Sequence, residues 1–311
     1  MIPRLHPRLA GALGLTLSAL AACAPADSSA EHSDDPPAAD IAPESSELAE
    51  RAAALEQEVG GRIGVAMVDG EGAVIDSHRG EERFAMCSTF KLPLAAMMLE
   101  RAVGDAPALD EVLPYDESDL LDYAPTAREH VAAGGMTVRD LAEAAVIVSD
   151  NTAANLLLER TGGPAGLTDF FRRHGDSATR LDRTEPALNE NAPGDERDTT
   201  TPEAMATLIQ RLALGDGLPV GARDQLQEWA VANRTGDNRI RAGIPAGWRV
   251  GDKTGSCGNA SNDVGIVWPP EGEPFVLAVY IDRPTAEASA VDGVFAELAG
   301  VAAAEAGGTG N

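Results

Sequence analysis

Basic residues are scarce in this 311-residue chain, and lysine is almost absent. Only two of its 24 Lys and Arg residues are lysines, Lys91 and Lys253, and arginine stands at every other basic position. Arginine keeps its proton in proteins, whereas a buried lysine can lose one and act as a base. The scarcity of lysine therefore indicates chemical roles for these two residues.

Metal-ligand motifs are also missing. The five histidines are scattered without an H-x-H or H-E-x-x-H pattern, and the three cysteines include no C-x-x-C pair. We therefore expect neither a metal site nor another cofactor. The formal net charge of -26 repels nucleic-acid phosphates and anionic lipid headgroups. Nucleic acid and a bare membrane surface are consequently not expected as partners.

The N-terminus has the pattern of an export signal. Residues 1–8 are basic without an acid, and residues 9–22 are apolar but too short for a permanent membrane span. We predict a signal peptide over 1–22. The sequence before Cys23 looks like the lipobox of bacterial lipoproteins, which favours lipidation of Cys23, and the alternative is release by cleavage after Ala26.

Residues 23–44 are rich in Ala, Ser, Pro, Asp and Glu and contain no Lys or Arg. This composition predicts a disordered acidic tether. The lipid on Cys23 would then be the protein's only contact with the outer face of the cytoplasmic membrane. Anchored or secreted, the mature chain would enter an oxidising compartment, where Cys87 and Cys257 are natural disulfide partners.

Ser88 and Lys91 stand three residues apart at the predicted start of an apolar helix. Residues with this spacing share a helix face, so the Lys91 amine can reach the Ser88 hydroxyl. Pro93 is tolerated only in a first helical turn, which places the helix start close to Ser88. The helix dipole favours negative charge there, as an activated serine needs. S-x-x-K alone is a weak signal, because a helix start followed by a solvated lysine has the same pattern.

The order of elements predicts two structural parts. Helices are expected near both chain ends, over 44–59 and 285–306, and strands over 62–68, 73–76, 248–253, 263–268 and 275–281. We predict an antiparallel five-stranded sheet flanked by helices, in an α/β domain formed by 45–83 and 234–306. An all-helical domain over 84–233 would lie between these two segments.

The helical middle is predicted in less detail. A capping box at Thr137 opens a helix over 141–148, and a further helix over 152–160 should stop at a Gly-Gly-Pro sequence. We expect residues 102–133 to be irregular. Residues 181–200 should form a long surface loop, and loops of this length within a compact domain are usually functional.

Three further motifs accompany Ser88 and Lys91. Ser149-Asp150-Asn151 stands at a helix-to-helix junction, Glu185-Pro186-x-x-Asn189 lies in the long loop, and Lys253-Thr254-Gly255 lies on a strand. Alone, these motifs are most often a helix cap, a solvated acid and a strand end. Their joint occurrence in this order and approximate spacing is not expected by chance.

With these motifs the chain resembles the class A serine β-lactamases, whose signature includes S-x-x-K, S-D-N and K-T-G. The resemblance runs from about residue 45 to 306 and is most specific over 136–202 and 234–268. It implies the two-domain fold shared with penicillin-binding proteins. The implied activity is hydrolysis of the β-lactam amide bond through a serine acyl-enzyme, which confers resistance to β-lactam antibiotics.

The resemblance implies a role for each catalytic residue. Ser88 would attack the β-lactam carbonyl, and Lys91 would keep its hydroxyl activated. Glu185 would hold a water and act as general base for deacylation, and whether Lys91 or Glu185 is the base for acylation stays open. Ser149 would pass a proton to the leaving ring nitrogen, and Lys253 would supply positive charge near the substrate carboxylate.

The resemblance also implies which residues bind the substrate and hold the loop. The binding residues would be Tyr123, Asn151, Asn189, Thr254, Gly255, Ser256 and Arg239. Arg239 would contact the substrate carboxylate, and backbone N–H groups of Ser88 and Ser256 would hold the oxyanion. Arg183 and Asp198 would clamp the base of the loop as an ion pair.

Cys87 and Cys257 match a disulfide found in the family's carbapenem-hydrolysing branch. Carbapenem hydrolysis is therefore a hypothesis, and the alternative is a stabilising cross-link without effect on specificity.

Other functions fit the motifs less well. A penicillin-binding DD-peptidase shares S-x-x-K and K-T-G but lacks a deacylating acid such as Glu185. A non-catalytic lipoprotein that binds peptidoglycan or antibiotic has no use for a nucleophile and two bases. A Ser-His-Asp hydrolase is disfavoured because G-x-S-x-G is missing and no histidine lies in the motifs. We expect a monomer whose partner is a small β-lactam.

Overall fold

The computed structural model describes residues 46–104 and 107–308. The predicted signal peptide over 1–22, the lipidation site Cys23 and the tether over 23–44 lie outside the described residues. Within the described ranges, no helix is both long enough and apolar enough to cross a membrane.

The described residues form eleven α-helices and nine strands, joined in places by short 3-10 helices. The α-helices are α1 Glu47–Val59, α2 Lys91–Arg101, α3 Pro107–Asp110, α4 Pro125–His130, α5 Val138–Ile147, α6 Asn151–Arg160, α7 Gly163–Arg173, α8 Pro202–Ala213, α9 Val220–Val231, α10 Ile240–Gly243 and α11 Ala288–Gly308. The strands are β1 Arg62–Asp69, β2 Val74–His78, β3 Phe84–Ala85, β4 Val112–Pro114, β5 Gly135–Thr137, β6 Thr199–Thr200, β7 Arg249–Cys257, β8 Ala260–Trp268 and β9 Phe275–Asp282.

Five strands form the antiparallel sheet that the sequence predicted, in the order β2-β1-β9-β8-β7. Strand β1, near the N-terminus, pairs along its length with β9, near the C-terminus, from Arg62 opposite Asp282 to Asp69 opposite Phe275. Strand β7 pairs only with β8 and forms one edge of the sheet. The other side of β7 is therefore open to the groups that line the site described below.

Alternate residues of the sheet face two separate hydrophobic cores. Val65 and Met67 of β1 lie in a core with helices α1 and α11, whereas Ala66 and Val68 lie in a second core with α2, α5 and α8. Because both faces of the sheet are covered, every residue of β9 is buried.

Helix α2 is buried along most of its length, and the predicted nucleophile lies just before its start. It follows directly on a 3-10 helix, Cys87–Phe90, that contains Ser88. All residues from Lys91 to Leu99 are buried, and an apolar helix of this kind belongs in a core. Pro93 lies in the first turn of α2, where its missing N–H costs little. The surrounding core therefore holds Ser88 and Lys91 in place.

The helical middle differs from the sequence prediction in two places. Helix α7 is absent from that prediction, which ends a helix at Gly162-Gly163-Pro164. The same residues also begin α7, since Pro164 occupies its first turn. Residues 102–133 also contain short elements, including β4, which pairs with the distant strand β5. Local sequence patterns carry little information about such a distant partner.

A disulfide joins Cys87 to Cys257, with 5.6 Å between their Cα atoms, and confirms the predicted pairing. Cys87 immediately precedes Ser88, and Cys257 is the last residue of the edge strand β7. The bond therefore ties the turn that carries the nucleophile to the edge of the sheet.

Candidate active site

A cleft of about 340 Å³ lies between the helical part of the molecule and strand β7. Its lining residues are Ser88, Tyr123, Ser149, Asn151, Glu185, Asn189, Thr235, Arg239, Thr254 and Ser256. All of them except Thr235 belong to the set predicted from the sequence. The fold thus brings residues from four distant motifs to one place.

The Lys91 side chain is fully buried and lies next to Ser88 and Asn151 of the cleft lining. Its Nζ lies 3.1 Å from Ser88 Oγ and 3.1 Å from Glu185 Oε1. It also donates to Ser149 O at 2.9 Å and to Asn151 Oδ1 at 2.5 Å. A proton can therefore pass between Ser88 and Lys91 in one step, with Glu185 within reach of the same amine.

Two opposing effects act on the pKa of Lys91. Burial lowers the pKa from its ordinary value, because the charged form loses its hydration. The Glu185 carboxylate acts in the other direction by stabilising the ammonium form. The net shift is downward, which makes the neutral amine that a general base requires easier to reach.

Ser149 occupies an unusual backbone conformation, with a φ of 59°. Its neighbour Asp150 is fully buried and accepts hydrogen bonds from three backbone N–H groups, one in α6 and two in α4. This anchored turn places Ser149 Oγ 3.4 Å from Lys91 Nζ and 3.1 Å from Lys253 Nζ. The hydroxyl is therefore well placed to move a proton between a lysine and a bound substrate.

Glu185 is held from its backbone and from its side chain. Asn155 in α6 donates to the Glu185 carbonyl at 2.8 Å and accepts from the Glu185 N–H at 3.0 Å. The Glu185–Pro186 peptide bond is cis. Asn189 Nδ2 donates to Glu185 Oε2 at 2.6 Å, so the two carboxylate oxygens contact Asn189 and Lys91 separately. This arrangement aims a nearly buried carboxylate at the cleft.

The loop that carries Glu185 is closed at its base by Arg183 and Asp198. Arg183 Nε lies 2.6 Å from Asp198 Oδ2, and Arg183 Nη2 donates to the Glu190 carbonyl at 2.8 Å. Asp198 is fully buried and has a φ of 57°. These side-chain bonds hold the loop where regular secondary structure is almost lacking.

Lys253 is as buried as Lys91 but has different neighbours. Its amine donates to Ser149 Oγ at 3.1 Å and to Thr254 O at 2.8 Å, and it forms no ion pair with any carboxylate of the described residues. Burial, followed by the positive charge of Lys91, lowers the pKa of Lys253 to about 7. Its charge is therefore sensitive to pH near neutrality.

Arg239 adds a second cation on this side of the cleft. Its guanidinium donates to the Gly255 carbonyl at 3.2 Å, the Asn262 carbonyl at 2.7 Å and Ser256 Oγ at 2.8 Å. Asp292 accepts from its Nε at 3.2 Å. The guanidinium is thereby fixed against strand β7, where the cleft would receive an anionic group.

Two residues that the sequence did not identify also belong to the site. Asn155 lies four residues after Asn151 on α6, and this spacing on one helix face is a signal that could have found it. Thr235, with its Oγ1 2.6 Å from Thr254 Oγ1, lies in a loop without any motif. Only the folded structure brings Thr235 to the cleft.

Tyr123 stands at the mouth of the cleft with 52% of its surface exposed. Its carbonyl accepts from Asn151 N at 3.1 Å, which ties this wall to the start of α6. Within the described ranges, no three His, Cys, Asp or Glu side chains are arranged to hold a metal ion.

Comparisons with known proteins point to one family. The model of the "Beta-lactamase enzyme family" matches residues 47–304. The carbapenem-hydrolyzing beta-lactamase KPC of Klebsiella oxytoca is 47% identical over 258 residues, which cover 82% of this chain and 87% of that protein. Beta-lactamase L2 of Stenotrophomonas maltophilia is 50% identical over 231 residues, covering 74% of this chain and 76% of that protein.

The fold agrees with these sequence matches. The solved structure of an ancestral (GNCA) beta-lactamase of class A has a TM-score of 0.80 and 52% identity, and the match covers 83% of this chain and all of that one. The predicted fold class and the resemblance noted from the motifs are thereby confirmed. The chain belongs to the class A β-lactamase enzyme family and is a hydrolase.

Proposed function

We propose that this protein hydrolyses β-lactam antibiotics through an acyl-enzyme on Ser88 and so protects the cell that exports it. One observation carries the proposal: Lys91 Nζ lies 3.1 Å from both Ser88 Oγ and Glu185 Oε1. The nucleophile and both candidate bases therefore form one connected group.

In the acylation step, Ser88 Oγ attacks the β-lactam carbonyl carbon and its proton moves to Lys91, or onward to Glu185. The backbone N–H groups of Ser88 and Ser256 stabilise the oxyanion, and one such donor contributes about 3 kcal/mol. Ser149 gives its proton to the ring nitrogen as the C–N bond breaks. Its hydroxyl is then reprotonated from Lys253 or Lys91, both within 3.4 Å.

In the deacylation step, Glu185 takes a proton from a water molecule, whose oxygen attacks the ester carbonyl. The bond from the carbonyl carbon to Ser88 Oγ then breaks, and the proton returns from Glu185 to Ser88 Oγ through Lys91. Asn189 supports this role of Glu185 from two sides. Its Nδ2 fixes one carboxylate oxygen of Glu185, and its Oδ1 is a buried acceptor without a partner among the described residues. That oxygen can accept a hydrogen bond from the attacking water.

Substrate recognition is proposed for the strand side of the cleft. Thr254, Ser256, Arg239 and Lys253 together offer hydroxyl donors and positive charge to the carboxylate of a β-lactam. Gly255 lets strand β7 lie close to the turn that carries Ser88, since a Cβ there would lie 2.7 Å from the Met86 carbonyl oxygen. On the opposite side, Asn151 would contact the amide side chain of the substrate, and Tyr123 would form a wall.

We extend the proposal to carbapenems on two grounds. A relative at 47% identity is named as carbapenem-hydrolyzing, and the Cys87–Cys257 disulfide joins the nucleophile's turn to strand β7. The measurement is the turnover rate on imipenem. Acylation without release of product would contradict this extension.

The domain boundaries and the cellular location are also proposals. We propose an α/β domain of residues 45–83 and 234–306 around an all-helical domain of residues 84–233. We further propose that the chain is exported and acts as a monomer without nucleic-acid partners. Lipidation of Cys23 would anchor it to the membrane, and cleavage after Ala26 would release it instead.

Residues 47–311 mixed with benzylpenicillin test the mechanism, with ring opening and the intact mass of the protein followed together. We expect many turnovers by the wild type and a lasting adduct on Ser88 in the Glu185→Ala variant. A wild type that itself stays acylated would identify a penicillin-binding enzyme. If the wild type shows no turnover and forms no adduct, a non-catalytic binding protein is favoured instead.

A further inference from the structure

The loop between helices α9 and α10 lies against the edge strand β7. Asn233 Nδ2 donates to Asp252 Oδ2 at 2.7 Å, and the hydroxyl oxygens of Thr235 and Thr254 lie 2.6 Å apart. Residues two apart on a strand share a face, so these two pairs lie side by side. Gly236 fits tightly behind them, since a Cβ there would lie 1.7 Å from Asp252 Oδ2.

Chemistry determines the direction of the hydrogen bonds in this group. The Thr235 N–H can only donate, and it reaches Asn233 Oδ1 at 3.2 Å, so Asn233 turns its oxygen toward Thr235 and its NH2 group toward Asp252. The Thr235 hydroxyl lies 2.9 Å from the same oxygen and donates its one proton there. The contact between the two threonine hydroxyls therefore uses the proton of Thr254.

This direction matters because Thr254 lines the cleft, whereas Asn233 is buried behind it with 5% exposure. A carboxylate needs a donor, so the Thr254 proton must turn from Thr235 to an arriving anion. Thr235 can then turn its own proton to Thr254, while its N–H stays on Asn233. Every step is a hydroxyl rotation, and no covalent bond forms or breaks.

We propose that Asn233 is a positioning residue for carboxylate recognition: its oxygen holds the Thr235 N–H, so that the Thr235 hydroxyl stays 2.6 Å from that of Thr254 and can donate to it when Thr254 turns its own proton to the substrate. The proposal rests on the proposed function, because it requires an anionic β-lactam at Thr254. Asn233 itself does not touch the substrate. The competing explanation is that Asn233 only satisfies the buried Asp252 carboxylate, which Arg241 also contacts.

The test compares benzylpenicillin with its methyl ester, which lacks the negative charge. For Asn233→Ala we expect KM for benzylpenicillin to rise about 5- to 20-fold with kcat almost unchanged, as loss of one oriented hydrogen bond to a charged group would produce. The kinetics on the ester should stay at the wild-type values. Asn233→Asp keeps an oxygen toward Thr235 and can share one proton with Asp252, so its KM should stay within about threefold of wild type.

Gln210→Ala is the matched control. Gln210 is another buried amide, whose Nε2 donates to the Gly70 carbonyl at 2.7 Å and which does not line the cleft. We expect it to lower the melting temperature without changing KM for either substrate. If Asn233→Ala raises KM equally for acid and ester, the positioning role is wrong.

A second variant keeps the test valid if Asn233→Ala does not fold. Thr235→Val leaves Asn233 in contact with Asp252 and removes the Thr235 hydroxyl with its contact to the Thr254 hydroxyl. It should therefore also lower the ratio of kcat/KM for benzylpenicillin to kcat/KM for its methyl ester. An unchanged preference would overturn the proposal. Failure of the wild type to open either substrate would instead overturn the proposed function.

Discussion

The two sides of the cleft each carry one buried lysine, and the two lysines have different neighbours. On the helical side, Lys91 lies 3.1 Å from the Glu185 carboxylate and also contacts the Ser88 hydroxyl. On the strand side, Lys253 forms no ion pair within the described part of the chain, and its neighbours are Ser149 and the Thr254 carbonyl. Equal burial therefore has different chemical consequences.

A carboxylate partner makes Lys91 part of a proton-transfer group, because protons can move between an amine, a hydroxyl and a carboxylate in contact. Lys253 lacks such a partner, and its positive charge remains available for an anionic ligand. We therefore propose that the covalent steps take place on the helical side and that the strand side recognises the substrate carboxylate.

The largest expected effect comes from replacing each lysine in turn. Lys91→Met should lower the acylation rate about 10³-fold or more, because the proton of Ser88 loses its acceptor. Lys253→Met should mainly raise KM for benzylpenicillin, by about 10- to 100-fold, because a charge that meets the carboxylate is lost. Stopped-flow acylation rates and steady-state KM values distinguish the two.

Circular dichroism and melting temperatures serve as controls for the folding of both lysine variants. If the two lysine variants change the acylation rate and KM by the same factors, the helical and strand sides of the cleft do not have separate roles.

A smaller effect is expected from breaking the bond that ties the two sides together. The Cys87–Cys257 disulfide closes a loop with a sequence separation of 170. Its removal in a Cys87→Ser/Cys257→Ser variant should lower the free energy of unfolding by about 2–5 kcal/mol, because the unfolded chain gains freedom. Urea unfolding measures the difference.

Wild-type protein that has been reduced and alkylated is the comparison sample for this variant. If the variant and the reduced, alkylated wild type both have the unfolding free energy of the oxidised wild type, the disulfide adds no stability.

The smallest expected effect is a pH dependence on the strand side. Burial lowers the pKa of Lys253 to about 7, so the amine is mostly charged at pH 6 and mostly neutral at pH 8. The preference for benzylpenicillin over its methyl ester, as a ratio of kcat/KM values, should fall up to about 10-fold over this range. Lys253→Arg should remove this dependence, because arginine stays charged. A wild-type ratio that does not change with pH would contradict the role of Lys253.

The sequence was most informative where chemistry demands particular residue types. Ser88 with Lys91, the Ser149 motif, Glu185 with Asn189, and Lys253 with Thr254 could be recognised because each motif is short and its spacing has a chemical reason. Each of these motifs contributes at least one residue to the lining of one cleft. The five-stranded sheet was also predictable, since its apolar strands have clear boundaries at both chain ends.

The sequence was less informative where a role depends on distant contacts. Thr235 and Asn233 are ordinary polar residues outside any motif, and only their neighbours in the fold indicate a role for them. Helix α7 shows the same limitation at the level of secondary structure, because a Gly-Gly-Pro sequence can end one helix and begin the next.

The sequence by itself determined the four short motifs, whose resemblance indicated the family and its reaction, and the strands of the sheet, because motif residues and hydrophobic periodicity are local properties. Only the tertiary structure decided how the two lysines differ, since burial and the distance to Glu185 arise from elements far apart in the chain. The same holds for the direction of the Thr254 hydroxyl, which depends on a loop packed against strand β7. A pKa or a hydrogen-bond direction follows from the surroundings of a group, and folding creates those surroundings.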